Sequence, residues 1–373
     1  VRPASPAERR RLNETFAGLC AIPSPSGQEA ACAQHVTGEL RALGLDVLDD
    51  EAGNLLARIP ARSSGAAPTI LLCAHLDTVG LDAAVEPVLI DDGWENRNDA
   101  ILGADNKAAV AVLLELARRC AAESSPVGLE LLFTVREEEG LAGATAFDVA
   151  RLESAFGFVF DHATPIGEVV VAAPTYFRFE ATFRGVSAHA GIRPETGRSA
   201  VLAAARAVAS MPLGRLDAQS TANVGRIEGG GPGTNVVPDR CCVLGECRSL
   251  DPARAESLVG EIVDALQDAA NAPDAPVDVD VVVERLFEGY RHRPPTPALR
   301  AAEAALRAHG HEPRRIASGG GSDANAFEVA GLHCVNLANG TERNHQPDER
   351  VSVAALEGML DVALDLLEES AHV

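Results

Sequence analysis

The apolar run 129–133, Leu-Glu-Leu-Leu-Phe, passes directly into Thr134-Val135-Arg136-Glu137-Glu138-Glu139-Gly140. Neighbouring carboxylates repel one another, and an unpaired one is costly to bury. A solvated acidic turn would explain the run if it stood alone. Other residues of the same chemical kind stand in similar places. The apolar run 70–74 delivers His75 and Asp77, and residues i and i+2 of an extended chain share a side. A carboxylate so placed can orient an imidazole, as happens behind metal-ligating histidines, although a strand-end His and a turn Asp account for the pair equally. Asp105 precedes a long amphipathic segment, where it could bind a metal or simply cap the helix. Asp161 follows the apolar run 156–160, and His345 lies in the polar loop 339–349.

The elements that must position these residues follow from periodicity. Helical spacing fits 7–19, 29–43 and 106–119, and strand patterns fit 54–59, 69–74, 129–135, 157–160 and 168–172. This alternation predicts an α/β domain whose mostly parallel central sheet is flanked by helices. In such sheets ligands sit outside the carboxyl ends of the strands, where the His, Asp and Glu residues all fall. Imidazoles and carboxylates without thiolates suit zinc, and also cobalt or manganese. Two ions bridged by a carboxylate would explain why so many acids meet, and their charge would offset the repulsion within the Glu run.

From 175 the order changes. A strand (177–183), a helix (198–210), two strands (222–228 and 241–249), a helix (252–270) and a strand (277–285) give the β-α-β-β-α-β order of a ferredoxin-like unit. The expected division is therefore a discontinuous catalytic domain, 1–174 with 287–373, and an inserted domain, 175–286. Helix and strand patterns resume from 297 to 369, and the stretch 60–68 reads as a surface loop.

Composition narrows the function. The chain of 373 residues carries 54 acidic and 32 basic side chains, a formal charge of -22, so a phosphate backbone or an anionic membrane would be repelled. No apolar run reaches the roughly 20 residues of a membrane span, and the first 16 residues read as a helix start without the apolar centre of a secretion signal. The 8 cysteines are scattered without a Cys-x-x-Cys pair, which points to small core residues in a reducing, cytoplasmic setting. The glycine runs 229–231 and 319–321 lack the phosphate-loop pattern and read as close-approach loops, with Gly320 a candidate backbone contact to substrate.

Read in order, CAHLDTV, GADNKAAVA, REEEGLAGA, FDHATPIGEV, GVSAHAG, GTNVVPD, ECRS, SGGGSDANAFEVAG and NGTERNHQPDE span nearly the whole chain. The series resembles the dizinc metallopeptidase family of peptidase T, carboxypeptidase G, succinyl-diaminopimelate desuccinylase and acetylornithine deacetylase. That resemblance implies two divalent ions per chain, zinc first and cobalt or manganese as alternatives. It implies His75, Asp105, Glu138, Asp161 and His345 as ligands, with Asp105 bridging. It implies Asp77 as the residue orienting His75 and Glu137 as general base, the register being set by Gly140. Glu139 falls at a variable position and receives no chemistry. Asn106 departs from the Asp that often follows the bridging residue. The resemblance further implies a homodimer through the inserted domain, with His189 reaching the partner's site, and Asn235 and Arg248 contacting substrate. An Arg fork suits a carboxylate.

Within the family, Asp at position 161 resembles the aminopeptidases and dipeptidases, whereas carboxypeptidases and deacylases tend to carry Glu. The pieces SGGGSDANAF and NGTERNHQ also look closest to peptidase T-like members. The expected activity is therefore removal of the N-terminal residue from short peptides, with a carboxypeptidase or N-acyl amino acid deacylase as the alternative. A serine hydrolase is suggested only by GVSAH, which misses the last glycine of the nucleophile elbow. A non-catalytic metal protein would be expected to lack Glu137, and Glu137 is present.

Overall fold

The computed structural model describes residues 2–62, 67–293 and 296–373, so the expected surface loop 60–68 lies partly outside the described residues. Two compact units emerge, Val1–Ala172 with Arg291–Val373, and Ala173–Tyr290.

In the first unit the strands Gly128–Thr134, Thr69–His75, Phe156–His162 and Cys334–Ala338 lie side by side, all parallel. Leu55–Ile59 pairs antiparallel with Gly128–Thr134, and Val47–Asp49 pairs antiparallel with it in turn. On the other side Glu168–Ala173 runs antiparallel to Cys334–Ala338 and takes Arg314–Ala317 as a parallel neighbour. The sheet is thus mixed, with a parallel centre. Every residue of Gly128–Thr134 is buried, as a strand covered on both faces requires. The helices Pro6–Cys20, Ala104–Glu123, Pro297–Ala308 and Val353–Ser370 supply the covering core from Leu, Ala, Val and Phe. Full burial of one such Leu is worth about 1.5–3 kcal/mol, and this repeated gain offsets the cost of gathering acids at one edge.

A second, small sheet was not evident in the sequence. Its order is Thr341–Glu342, Arg350–Ser352, Gly93–Asn96 and Pro87–Ile90, all antiparallel. The loop bearing His345 joins its first two strands, so this sheet fixes where that loop begins and ends.

The second unit is a sheet in the order Gly214–Arg215, Ser220–Gly229, Arg240–Ser249, Thr175–Arg184 and Asp278–Phe287, antiparallel throughout. Helices Ala200–Ser210 and Pro252–Ala270 pack against it around Phe179, Phe183, Leu258 and Ile262. Apart from the added two-residue strand, this is the ferredoxin-like order.

Candidate metal centre

Four loops meet at the carboxyl edge of the parallel strands. His75 is the last residue of its strand and almost fully buried. Its Nδ1 lies 3.0 Å from the backbone carbonyl of Asp77 and 3.4 Å from the Asp77 carboxylate. A carbonyl only accepts, so Nδ1 carries the proton and Nε2 faces inward, 3.3 Å from Asp105 Oδ1 and 3.7 Å from Asp161 Oδ1.

The Asp77 carboxylate does more than face His75. Its Oδ1 accepts from the Glu137 amide at 3.0 Å, and its Oδ2 accepts from the Glu138 amide at 3.1 Å and the Ser26 hydroxyl at 2.7 Å. The turn after the central strand is therefore tied to the His-x-Asp loop through its backbone. Arg136 adopts φ 54 and Gly140 φ 79, both left-handed, so the chain reverses around the two glutamates. Adjacent carboxylates thereby leave the turn in different environments: Glu137 is buried, whereas Glu138 Oε1 approaches His345 Nε2 to 2.8 Å. Glu139 points outward and pairs with Arg136 at 2.7 Å.

Among the described residues neither Asp105 oxygen caps the helix, since Oδ1 has no hydrogen-bond partner and Oδ2 is taken by Asn344. Asp105 and Asn106 have non-helical dihedral angles, and the peptide between them is cis. Asp105 Oδ2 accepts from Asn344 Nδ2 at 2.7 Å and lies 3.5 Å from His345 Nε2. His345 itself sits at φ 65, a left-handed position that costs a non-glycine residue about 1–2 kcal/mol. Asp161 lies within its strand, and its backbone exchanges hydrogen bonds of 3.0 and 3.1 Å with the side chain of Asn336 on the neighbouring strand. Asn106 is fully buried, and among the described residues its amide atoms have no hydrogen-bond partner.

Two donor sets result, His75–Asp105–Asp161 and Asp105–Glu138–His345, each with its atoms within 4.8 Å of one another and both using Asp105. Glu137 falls in a third such grouping with His75 and Glu138. Asp105 Oδ1 and Glu138 Oε1 are buried and, among the described residues, accept no well-aligned hydrogen bond despite the imidazole nitrogens beside them. Acceptor thus faces acceptor, an arrangement that a cation held between them would satisfy. The ionisation pattern agrees. Burial alone would lower the His75 pKa, but Asp105, Asp161 and Asp77 raise it well above the usual range. Asp105, followed by Glu138, raises His345 to about 10. Burial, reinforced by Asp161, pushes Glu137 well up, and burial with Asp105 does the same to Asp161. Burial also opposes ionisation of Asp105, yet His345 and His75 hold its pKa below the ordinary carboxylate range. Imidazole and carboxylate donors without thiolate fit zinc, cobalt or manganese.

Two further acids were not singled out by sequence reasoning. Glu349, buried, accepts from the amides of Leu102 (2.9 Å), Gly103 (2.7 Å) and Asp105 (3.0 Å), so it pins the Asp105 loop to the His345 loop. Burial pushes its pKa up to about 7. Asp323, at the start of the helix Asp323–Val329, accepts from Thr134 Oγ1 at 2.5 Å and from Cys73 Sγ at 3.6 Å, and burial raises it to about 6. The only sequence signal for either was an acid within a quoted motif.

The remaining candidates lie apart from this cluster in the chain. Gly320 precedes that helix and donates its amide to Ser318 Oγ at 3.0 Å. His189, Asn235 and Arg248 belong to the second unit. His189 is exposed, and its Nδ1 accepts from the Gly191 amide at 3.2 Å, which puts the proton of a neutral ring on Nε2. The exposed Asn235 lies beside it, its carbonyl accepting from the Ala190 amide at 2.9 Å. Arg248 is forked onto Glu246 at 3.1 and 2.9 Å and stacks 4.1 Å from the Tyr176 ring centre.

Comparison with known proteins matches this architecture. Residues 172–273 match the peptidase dimerisation domain, and 54–170 match peptidase family M28. The uncharacterized protein YqjE of Bacillus subtilis is 34% identical over 371 residues, covering 97% of this chain and 99% of that one. The crystal structure of the aminopeptidase PepT from Bacillus cereus is 35% identical with a TM-score of 0.85, over 97% of this chain and 99% of that one. A tripeptidase from Staphylococcus aureus is 31% identical with a TM-score of 0.91, over 98% and 99% respectively. Identity above 30% along almost the whole of both solved structures decides the matter: the chain belongs to the peptidase T-like family of metallopeptidases.

Proposed function

We propose that this chain removes the N-terminal residue from short peptides, tripeptides above all, at a pair of zinc ions. Cobalt and manganese fit the same donors. His75, Asp105 and Asp161 would hold one ion, and Asp105, Glu138 and His345 the other. The observation that carries the reading is the pair of donor sets sharing Asp105, with buried carboxylate oxygens that meet no aligned donor among the described residues. When bound, the ions supply Lewis acidity toward water and the scissile carbonyl. Glu137 takes the proton of the attacking water and returns it to the departing amine. Its burial favours the protonated form, which suits it to hold that proton between the two steps. Asp77 keeps Glu137 and Glu138 apart in direction by gripping their amides.

Peptide as substrate and the N-terminal bond as target are supported by the relatives described as an aminopeptidase and a tripeptidase. The match of the second unit to a peptidase dimerisation domain supports a homodimer, in which His189 would donate from Nε2 to the carbonyl oxygen in the partner's site. Asn235, Arg248 and Gly320 would line the substrate path. Because Glu246 already forks Arg248, a substrate carboxylate would have to compete for that guanidinium. All 8 cysteines are free, which supports a reducing cytoplasmic setting, and no helix among the described residues is long and apolar enough to cross a membrane.

The test is hydrolysis of a free tripeptide, its N-acetylated form and an N-acetyl amino acid by protein supplied with zinc, cobalt or manganese. The reading requires metal-dependent cleavage of the free tripeptide and little of the acetylated forms. Preference for the N-acetyl amino acid would replace it with the deacylase alternative.

A further inference from the structure

At the opposite edge of the same sheet lies a cluster that the peptidase site does not use. His333 immediately precedes the strand Cys334–Ala338, whose far end pairs with His162 beside Asp161. Glu328 sits near the end of the helix that begins with Asp323, about 7.5 Å further along the helix axis. His292 follows the strand Tyr290–Arg291. The Glu328 carboxylate is shared between the two rings, with Oε2 3.2 Å from His333 Nδ1 and Oε1 3.7 Å from His292 Nδ1. One donor atom from each of the three residues lies within 4.8 Å of the others.

We propose that His292, Glu328 and His333 form a third divalent-metal site, of zinc type, separate from the peptidase centre. Two imidazoles and a carboxylate are a donor set zinc accepts with water in the remaining position. Bonds of about 2.0–2.1 Å in tetrahedral geometry place donor atoms about 3.3 Å apart; the Glu328–His333 separation is 3.2 Å, and all three donors lie within 4.8 Å of one another. The donors are also held in advance. The Cys334 amide donates to Glu328 Oε1 at 2.7 Å, the His292 amide donates to the Val171 carbonyl at 2.8 Å, and the His333 carbonyl accepts from the Gly157 amide at 2.8 Å. Fixed backbones around the ligands are what a selective site needs. His292 is buried while the His333 side chain is 60% exposed, so an ion has an anchored floor and a route from solvent. Such an ion would clip the segment carrying His292 to the turn between the Asp323–Val329 helix and the Cys334–Ala338 strand.

The experiment is equilibrium dialysis of the intact protein against a fixed free zinc concentration, followed by metal analysis of the native chain, His333→Ala and His333→Cys. Native protein should hold about one equivalent more than His333→Ala, with kcat for peptide unchanged. His333→Cys should regain that equivalent, because a thiolate also ligates zinc. Across a zinc series, His333→Ala should weaken the extra site by more than about 100-fold, beyond the 10–100-fold expected for losing a supporting partner alone. Equal zinc content in native protein and His333→Ala would overturn the proposal, showing a histidine–glutamate ion pair or adventitious surface binding. The readout is a difference in metal content between proteins, so it holds whether or not the peptidase reading survives.

Discussion

Asp77→Asn isolates the device that orders the Glu137–Glu138 turn. The Asp77 side chain is fully buried and accepts from two backbone amides and one hydroxyl through its two oxygens. Asparagine keeps the size but turns one oxygen into an NH2 group, so at least one amide then faces a donor. A hydrogen bond to a charged group is worth about 1.5–3 kcal/mol, and the loss of one, taken as about 2 kcal/mol, corresponds to about 30-fold in an equilibrium constant. His75 is less affected, because its nearer partner is the Asp77 backbone carbonyl, which the substitution leaves in place. The weakening should therefore fall first on the ion held by Glu138 and His345. Competition with a chromogenic chelator should show one equivalent released about 30-fold more readily than in native protein, and the other released almost as in native. Saturating metal should restore occupancy but not full kcat, because Glu137 is displaced with the turn, and a shift near 1 Å can cost about 100-fold. Two equivalents weakened equally, or kcat fully restored by metal, would refute this account of Asp77.

Glu137→Gln should retain both metals while kcat falls by about 100-fold or more, and near-normal turnover in the metal-loaded variant would move the general base elsewhere. Mixing His189→Ala chains with Glu137→Gln chains under subunit exchange should restore activity, since some mixed dimers contain one site with both residues intact; no recovery despite demonstrated exchange would confine His189 to its own chain. Far from the site, buried Glu8 is forked by Arg119 at 2.7 and 2.8 Å and paired with Arg2 at 2.8 Å. Burial opposes its ionisation, yet Arg119, Arg2 and Ser5 hold its pKa well below the ordinary 4.5. Its contribution is therefore present above pH 4.5 and lost as the pH falls toward the folded-state value. Glu8→Gln should cost about 3–5 kcal/mol at pH 7, and denaturant titrations should show native and variant converging below about pH 4.5.

Much of the site was legible because catalytic residue types sat at the ends of unmistakable apolar runs. His75 closes Thr69–His75, Asp161 sits near the end of Phe156–His162, and the Glu run follows Gly128–Thr134. Three parallel neighbours must put their ends together, so strand patterns alone brought these residues to one edge. The small sheet escaped notice for the opposite reason. Its strands Thr341–Glu342, Arg350–Ser352, Gly93–Asn96 and Pro87–Ile90 have two to four residues each and are polar or half-exposed, too short for alternation to register.

Glu349 and Asp323 escaped for another reason. An acid that binds backbone amides has the same letter as one on the surface, and the partners of Glu349 at Leu102, Gly103 and Asp105 are more than 240 residues away. The same distance in sequence hid the choice at Asp105. Position before a helix made capping the better reading in isolation, and only the fold, which brings Asn344 and His345 to its oxygens, separates the two.

The opening puzzle of adjacent carboxylates resolves once these long-range bonds are counted. Asp77 and Glu349 are buried acceptors whose own hydrogen bonds are made by amides, so they organise the site without needing a cation. Asp105 and Glu138 each carry a buried oxygen that, among the described residues, no aligned donor meets. The first kind builds the frame, and the second kind supplies the donor atoms toward which the frame is directed. Burial raises the pKa values of Glu137 and Asp161, and the carboxylates around His75 and His345 raise those of the two imidazoles, so each of these groups favours holding a proton. Divalent ions compete with those protons for the same lone pairs, so metal uptake and proton release are one equilibrium at this sheet edge.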